Sequence, residues 1–506
     1  TVINRHNSGG NMYQGVLFQG NNTGLTGGLD LDEALTANNA IFRFNGLNSM
    51  GGAGAASVDL PDGKTPYAGL ENMGSNANFV AAMDRLQLVT NMTLGMDMST
   101  GAAINLSPVG RNVDLRIGTF RGATYTGTLT PYGSVYKLGG GGGTLVFPSA
   151  NQFVDSGGAR SVHIGREGSF TPGTIALGAT NSYTGGTTVT AGGTVETRVT
   201  DAMSTTGTVT LDGATWNLTT NAQVPLNPIA VTVSGATINS ALDAGAGGRT
   251  NELKGDITLN GALSPNWQGR LILSGKISGA GKISSPQITN LGTGNYIEIT
   301  GNNDFTGGVT LGHSGAQAGS EGLRIGHDNA LGNGGTFTIS GIGNSKGIDI
   351  QALNGPRIIA NPFVVNHDKS QYTSFTGNDA LTFTGPVTLG PMAASSTLVT
   401  NGPGLVTFGG AVGGSLGLTK TGVAALKLSS ASSTYTGTTL INQGTLYVGA
   451  NAPSGGPGAL GSSTTAVVMG IYRVLLANVR VGTTANLSGT FAANKLTFAT
   501  PVATID

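Results

Sequence analysis

The 506-residue chain contains no cysteine and few charged residues. Without cysteine there can be no disulfide, no thiolate chemistry and no cysteine-ligated zinc. This absence is also more typical of an exported bacterial surface protein than of a protein kept in a reducing cytosol. Charged residues make up only 10%, and 25 Lys plus Arg balance 25 Asp plus Glu. Because the net charge is zero, the chain has no electrostatic footprint for nucleic acid or for an anionic membrane surface, and we expect neither as a partner.

A long apolar run is also missing from the sequence. No stretch approaches the ~20 apolar residues that a membrane-spanning helix needs, so we predict no membrane insertion. The chain begins at Thr1 rather than at Met, as expected for a mature protein whose signal peptide has been removed. These features predict an extracellular or cell-surface location.

Glycine is the residue in greatest excess, at 86 of 506 positions, where an average composition has about 7%. From residue 121 to residue 465, short runs of Val, Ile, Leu and Thr alternate with turns rich in Gly, Asn and Ser. Apolar and polar residues alternate within the runs, as in strands with one buried face. Glycine accepts the positive φ that tight turns need. The pattern therefore predicts an all-β chain.

One short cassette recurs three times in this stretch. Its aromatic residue is Tyr183, Phe305 or Tyr435. Threonine and then one or two glycines follow the aromatic residue: Gly185 and Gly186, Gly307 and Gly308, and Gly437. A looser echo follows each copy, at residues 201–203, 329–332 and 458–461. Such repetition predicts stacked coils of about 20 to 30 residues each, with the aromatic ring at a corner of its coil. A ring that stacks on a sugar is the alternative.

The sequence divides into three parts. Residues 1–120 lack the cassette and contain two predicted helical turns, at residues 30–35 and 78–83, the second with Phe79 and Met83 on one face. We predict an N-terminal cap or assembly region here, and a helix-containing globular module is the alternative. Residues 121–465 form the predicted solenoid. Residues 466–506 are more apolar and either finish the last coils or supply a strand to another molecule.

A run of glycines, Gly139 to Gly143, stands before the first of these coils. It resembles a loop that cradles a phosphate, but no Lys-Ser or Lys-Thr follows it and no helical pattern begins there. We therefore predict a tight linker and no cofactor.

The cassette resembles the autotransporter-associated β-strand repeat of bacterial surface passengers. The third copy carries most of that family's pattern, in the segments Leu418-Thr419-Lys420-Thr421-Gly422, Tyr435-Thr436-Gly437 and Gly444-Thr445-Leu446. In the other copies Asn181 and Asn303 stand two positions before the aromatic residue. The resemblance implies a right-handed parallel β-helix, secretion and a cell-surface role without an enzyme activity. It says nothing about residues 1–120.

Residues that could support catalysis are sparse. A polysaccharide-active enzyme on a β-helix needs carboxylates clustered on one face. The strongest candidates for such a cluster, or for neighbouring histidines, are Asp30, Asp32, Glu33, Glu321, Arg324, Asp328, His313 and His327. We interpret them as solvated or turn residues. The prediction is no enzyme, with no catalytic, cofactor-binding or metal-binding residue.

The sequence therefore predicts an extracellular structural protein that assembles head-to-tail into a filament or surface layer. A solenoid ends in unpaired strands, and exposed edges recruit other strands; a head-to-tail contact does not close and builds a fibre. The candidate assembly edges are Val2, Ile3, Leu496, Phe498, Val502 and Ile505. A monomeric adhesin or displayed passenger that binds glycans or cells is the alternative, and a polysaccharide-active enzyme is a lesser one.

Overall fold

Two compact units, Thr1–Leu242 and Asp243–Asp506, make up the computed structural model. The structure describes residues 14–27, 29–31, 40–52, 57–60, 65–89, 91–107, 115–165, 172–190, 192–204, 206–240, 249–288, 295–313, 321–341, 347–367, 372–390, 395–452, 455–462, 467–469, 479–483, 496–498 and 503–505. In this part of the chain both units consist mainly of short strands paired in parallel. The predicted all-β solenoid is confirmed.

The strands of the first unit follow one another at short intervals. They are β1 (Gln14–Phe18), β2 (Leu29–Asp30), β3 (Ala40–Asn45), β4 (Val58–Asp59), β5 (Tyr67–Glu71), β6 (Leu86–Gln87), β7 (Thr93–Met96), β8 (Ile104–Asn105), β9 (Arg116–Gly118), β10 (Ala123–Thr124), β11 (Leu129–Thr130), β12 (Val135–Leu138), β13 (Thr144–Phe147), β14 (Ser161–Ile164), β15 (Thr174–Leu177), β16 (Thr187–Thr190), β17 (Thr194–Thr197), β18 (Val209–Asp212), β19 (Ala214–Leu218), β20 (Ile229–Val231) and β21 (Ala236–Ser240). Their order in one sheet is β1-β3-β5-β7-β9-β12-β14-β16-β18-β20, and in a second β10-β13-β15-β17-β19-β21. Shorter pairings join β2-β4-β6 and β8-β11.

Helical structure in the described part of the first unit consists of α1 (Asn76–Arg85) and a 3₁₀ helix, Leu47–Met50. The Ser75 hydroxyl caps α1 by accepting a hydrogen bond from the Asn78 N–H at 3.1 Å. Phe79 and Met83 are both buried on one face of α1, so the helical turn predicted at residues 78–83 is confirmed. Of the other predicted turn, Asp30 lies in strand β2 and residues 32–35 lie outside the described residues. Parallel pairing is already present at β1, the first described strand, within the residues that the sequence assigned to a cap.

The strands of the second unit are also short and also pair in parallel. They are β22 (Arg249–Leu253), β23 (Ile257–Leu259), β24 (Leu263–Trp267), β25 (Gly269–Leu273), β26 (Ile277–Ser278), β27 (Ile283–Ile288), β28 (Asn295–Ile299), β29 (Val309–His313), β30 (Glu321–Ile325), β31 (Phe337–Gly341), β32 (Gly347–Ala352), β33 (Arg357–Ile359), β34 (Phe363–His367), β35 (Tyr372–Phe375), β36 (Leu381–Phe383), β37 (Val387–Leu389), β38 (Ser395–Thr400), β39 (Val406–Phe408), β40 (Val412–Gly413), β41 (Gly417–Thr421), β42 (Ala425–Leu428), β43 (Thr439–Ile441), β44 (Thr445–Val448), β45 (Val467–Met469), β46 (Val479–Thr483), β47 (Leu496–Phe498) and β48 (Ala503–Ile505). They pair as β22-β25-β28-β30-β32-β35-β38-β41-β43-β45-β47, as β24-β27-β29-β31-β34-β37-β40, as β33-β36-β39-β42-β44-β46-β48 and as β23-β26.

Apolar ladders run from turn to turn through the core. The residues at matching positions on β13, β15, β17, β19 and β21 are Leu145, Ile175, Val195, Trp216 and Ile238, all buried. Threonine precedes the buried residue on each of these strands and lies on the opposite face: Thr144, Thr174, Thr194, Thr215 and Thr237. Because successive side chains of a strand lie on opposite faces, the apolar residue of each pair lies in the core and the threonine lies on the outer face. The pairs Thr144–Thr174 and Thr174–Thr194 make consecutive turns 30 and 20 residues long, as the sequence predicted.

Aromatic rings reinforce the core of the second unit. Phe337 and Phe363 stack with their ring centroids 5.0 Å apart, and Phe363 stacks on Phe383 at 4.8 Å. Phe337 and Phe363 lie at matching positions on the paired strands β31 and β34, so the ~4.8 Å spacing between strands brings the two rings into contact. Phe383 lies on β36 of another sheet, and its ring meets that of Phe363 inside the core.

The glycine run occupies a connection between β12 and β13. Gly139, Gly140, Gly141 and Gly142 all have positive φ, from 84° to 116°, a backbone region that L side chains rarely adopt. The Gly139 N–H donates to the Ile117 carbonyl at 2.8 Å, on the preceding turn of the sheet. The run is therefore a tight connection between successive strands. The sequence predicted a linker into the first coils, whereas paired parallel strands already precede the run.

Candidate functional site: repeat cassettes and two polar networks

The aromatic residue of every cassette lies inside the solenoid. Tyr183, Phe305 and Tyr435 are each 0% exposed. A sugar cannot stack on a ring that solvent does not reach, so the alternative role considered for these rings is wrong. Burial raises the pKa of Tyr183 and of Tyr435 above the ordinary value for tyrosine.

A hydrogen bond inside the core distinguishes the two tyrosine cassettes from the phenylalanine cassette. The hydroxyl groups of Tyr183 and Thr187 are 2.5 Å apart, and those of Tyr435 and Thr439 are 2.7 Å apart. In the remaining copy, Phe305 has no hydroxyl and the residue four positions later is Val309, also buried. The two tyrosine cassettes therefore have a threonine four positions after the ring, and the phenylalanine cassette has a valine there. This is expected, because a buried hydroxyl needs a hydrogen-bond partner.

The polar residue two positions before the ring ties neighbouring turns together. Asn181 donates to the Ala202 carbonyl at 2.8 Å, and Asn303 donates to the Ala330 carbonyl, also at 2.8 Å. Ala202 and Ala330 are the buried centres of the echoes that follow the cassettes. Ser433 holds this position in the third copy, where its hydroxyl accepts from the Val412 N–H at 3.0 Å.

The cassette glycines permit close contact between turns. A Cβ on Gly185, Gly307 or Gly437 would lie 2.6, 2.3 or 2.0 Å from backbone of the preceding turn, and real Cβ atoms do not approach so closely. Gly186 and Gly308 have positive φ, at 84° and 78°. Glycine is therefore favoured at these positions, either because the preceding turn leaves no room for a Cβ or because φ is positive.

The echoes reveal one exception to this use of glycine. Gly332 and Gly461 end the second and third echoes with φ of 78° and 69°, and Ser204 occupies the same position in the first with φ of 70°. A non-glycine residue in this region is strained. The first cassette therefore carries a local cost that the others avoid.

Lys420 is a fully buried lysine of the third cassette. Its Nζ donates to the carbonyls of Thr421 and Gly422 at 2.8 Å each and to that of Gln443 at 2.9 Å. Gln443 lies on the following turn, so one side chain links two turns. Burial lowers the pKa of Lys420 to about 7.

A polar network covers part of the sheet in the first unit. Arg43 on β3 donates a hydrogen bond to Glu71 on β5, and Arg121 Nε lies 2.9 Å from Glu71 Oε2. The Tyr67 hydroxyl donates to Asp97 Oδ1 at 2.7 Å. Burial, and next the charge of Asp97, raise the pKa of Tyr67 well above its ordinary value. Glu71, Tyr67 and Asp97 are all buried.

Asp97 also fixes the loop that follows β9. Its Oδ1 accepts from the Phe120 N–H at 2.7 Å, the Arg121 N–H at 3.3 Å and the Thr119 hydroxyl at 3.3 Å. The loop presents the Phe120 ring with 46% of the residue exposed. Arg43 Cζ lies 5.4 Å from the centroid of that ring, a cation–π distance.

The second unit contains a network with similar components. Glu298 accepts from Arg270 Nη2 at 2.7 Å and from Arg324 Nη1 at 2.8 Å. Burial alone would raise the pKa of Glu298, but the hydrogen bonds from the two guanidinium groups hold it below its usual range. Asp349 Oδ2 accepts from the Tyr296 hydroxyl at 3.1 Å. The other donors to this oxygen are Gln351 Nε2 at 2.7 Å and the Thr376 hydroxyl at 2.6 Å.

The residues weighed for catalysis are not brought together. Arg324 pairs with Glu298, whereas Asp328 accepts from the Ile358 N–H at 3.0 Å and His327 Nδ1 accepts from the Asn329 N–H at 3.0 Å. The structure does not describe the side chains of Glu321 and His313, nor any part of Asp32 and Glu33. Across the described ranges, no group of three or more His, Asp or Glu side chains could hold a metal ion. Within the same ranges, no helix is long and apolar enough to cross a membrane.

The predicted assembly edges fall at the margins of two sheets. Leu496 and Phe498 lie in β47 and Ile505 lies in β48, and each strand is the outermost described strand of its sheet. Val2, Ile3 and Val502 lie outside the described residues.

The sequence predictions missed the first-unit network and the loop that carries Phe120. One signal was available, because Glu71 follows Arg43 by 28 residues and Phe120 follows Asp97 by 23, each about one turn. Acidic and basic residues at turn spacing become neighbours in a solenoid. The sequence contains acidic and basic residues that could pair in this way. The number of residues in a turn varies too much, however, for the spacing alone to show which of them are neighbours.

The family model for the passenger-associated-transport-repeat matches residues 172–196 and 418–448. These segments contain the cassettes of Tyr183 and Tyr435, with Lys420, while the Phe305 copy lies outside both. The resemblance to an autotransporter passenger repeat is therefore confirmed. No curated protein and no solved structure matches the chain.

Proposed function

We propose that the chain is an exported passenger segment of a bacterial surface protein, and that its solenoid is a structural scaffold without catalysis or cofactor. The proposal rests on the structural role of the repeat residues. Buried rings, buried Asn side chains and close-packed glycines all hold one turn against the next. The matches to a passenger-associated repeat support export.

Surface display can be tested with a short epitope tag inserted after Val233, which is 84% exposed. We expect an antibody to stain intact cells that make the tagged protein and external protease to remove the stain. A tagged cytoplasmic protein in the same cells is the control and must stain only after permeabilisation. If the tagged solenoid also stains only after permeabilisation, the passenger proposal is wrong.

Self-assembly into a filament or surface layer is the second candidate function. It is favoured by the position of β47 and β48 as the outermost described strands of two parallel sheets. Backbone N–H and C=O groups at such edges can pair with strands of another copy. The contact in this proposal is head-to-tail pairing, and repeated contacts of that kind build a fibre.

Electron microscopy and light scattering of the purified chain test this assembly. The variant Thr497→Pro/Thr504→Pro removes two backbone donors and should abolish fibres, since proline cannot donate to a ladder. The matched control Thr497→Val/Thr504→Val keeps β propensity and should assemble like the unmodified chain. Unmodified protein that stays monomeric at high concentration, or a proline variant that still forms fibres, would contradict the proposal.

A further inference from the structure

Phe120 is an exposed aromatic residue on a loop that buried groups hold in place. Tyr132 is the other large exposed aromatic residue among those that the structure describes, and it is less exposed, at 37% against 46%. An isolated apolar residue on a surface is ordinary. Phe120 differs because its own backbone N–H is bonded to a buried carboxylate, that of Asp97.

We propose that Phe120 and Arg121 form a binding site for a uronate residue of an acidic polysaccharide. The apolar face of the sugar ring would lie on Phe120, and the sugar carboxylate would pair with Arg121. The proposal goes beyond the scaffold role, since it gives the first unit a ligand.

The loop is organised before any ligand arrives. Asp97 Oδ1 accepts from two consecutive backbone N–H groups, those of Phe120 and Arg121, and from the Tyr67 hydroxyl. The Asp97 side chain is 0% exposed. A loop that is already fixed loses little conformational entropy when it binds, and this favours affinity.

The charge that solvent meets at this site is positive. Glu71 and Asp97 supply the negative charges, with side chains 4% and 0% exposed, whereas the Arg121 side chain is 57% exposed. Arg121 uses Nε for its ion pair with Glu71. Its two Nη nitrogens make no hydrogen bond to the described part of the chain, and a guanidinium edge matches a carboxylate in a two-point contact.

The second unit shows that such a network does not require an exposed ring. Its Asp349 accepts from the side chains of Tyr296, Gln351 and Thr376. Its tyrosine lies under a guanidinium, with Arg324 Cζ 3.9 Å from the Tyr296 centroid. The exposed ring of Phe120 is therefore a feature added to the first network.

Isothermal titration calorimetry of the full chain tests the site with four probes. These are an oligogalacturonide and a hyaluronan oligosaccharide, which separate a galacturonate from a glucuronate source, and each of the two with its carboxylates methyl-esterified. We expect one of the two acidic chains to bind, and an acidic chain to bind at least about tenfold more tightly than its neutral ester.

Three variants identify the residues responsible. Phe120→Ala should weaken binding of the acidic chain by about tenfold. Arg121→Gln should remove the preference for acid over ester, and Arg121→Lys should reduce it, because lysine lacks the paired donors. Tyr132→Ala, the matched exposed aromatic, should bind like the unmodified chain.

Circular dichroism and thermal unfolding establish that each variant is folded. The proposal is overturned if neither acidic chain binds at millimolar concentration, if acid and ester bind equally, or if Phe120→Ala and Tyr132→Ala behave alike. Each of these outcomes leaves the display experiment untouched, and failed display would leave the binding result standing.

Discussion

In the first unit the buried carboxylate of Asp97 holds backbone N–H groups of a loop, whereas in the second unit Asp349 accepts from side chains. Both units place a buried Glu between two Arg residues and a buried Tyr against an Asp. Similar buried Glu, Arg, Tyr and Asp side chains can therefore either stiffen one face of a sheet or hold a loop in position. A backbone donor cannot turn away to find another partner, while a side chain can rotate toward solvent.

The largest effect that we expect is a difference in the free energy of unfolding between variants of these two aspartates. Asp97→Ala leaves two backbone N–H groups and two hydroxyls without their acceptor, and should lower the free energy of unfolding by about 3 to 5 kcal/mol. Asp349→Ala removes bonds from side chains and should cost only about 1 to 2 kcal/mol. Urea denaturation followed by far-ultraviolet circular dichroism measures both. Equal losses would show that the two networks play the same part.

Lys420 extends the comparison to the cassettes, since the residues at the same strand register in the other copies are Ile164 and Ser285. An unfolded lysine titrates near ~10.4, and burial lowers the pKa of Lys420 to about 7. Between these values the unfolded chain binds a proton that the folded chain does not, so stability rises with pH. The unmodified chain should gain about 2 kcal/mol relative to Lys420→Met from about pH 7 to about pH 9.

Unfolding of both proteins across that pH range provides the measurement. Subtraction of the variant removes the contribution of every other titrating group that the two proteins share. A difference that stays constant with pH would mean that Lys420 does not titrate as its burial requires.

The Phe305 cassette can be converted into a tyrosine cassette. Phe305→Tyr alone should cost about 1 to 3 kcal/mol, because it buries a hydroxyl beside Val309 without a partner. Adding Val309→Thr should recover most of that loss, since Thr187 and Thr439 bond the hydroxyls of Tyr183 and Tyr435. Thermal unfolding of both single variants and the double variant gives the coupling. No recovery in the double variant would refute the pairing.

The smallest expected effect is a gain in stability. Ser204→Gly should stabilise the first echo by about 1 kcal/mol, because glycine accepts positive φ without the Cβ contact that strains serine. The converse change, Gly461→Ser, should destabilise, and by more, because its Cβ would lie 2.3 Å from the Tyr435 carbonyl oxygen. The shift in thermal midpoint measures both. A Ser204→Gly variant no more stable than the unmodified chain would show that the strain is relieved elsewhere.

Much of the fold followed from local pattern. The alternation in residues 144–147 and in its successors predicts strands with one buried face, and Leu145, Ile175 and Val195 are indeed the buried members. The helical turn at Phe79 and Met83 was also visible, because apolar residues four positions apart share a face of a helix. For the cassette rings, the sequence left a corner position and a sugar-binding position both open. Packing decided, since Tyr183 and Tyr435 find their hydroxyl partners inside the core.

What the sequence determined by itself is the plan of the solenoid: which residues form strands, which glycines turn the chain, and which cassette repeats. Those features depend on neighbours within a few positions, where the periodicity of a strand and the freedom of glycine act directly. Only the tertiary structure decided which outward side chains meet, as Arg43 meets Glu71 and Asp97 meets Phe120. The physical reason is that successive turns differ in length, from 20 to 30 residues between Thr144 and Thr194. Neighbours across turns are therefore set by the register of the stacked strands and by no fixed spacing in the sequence.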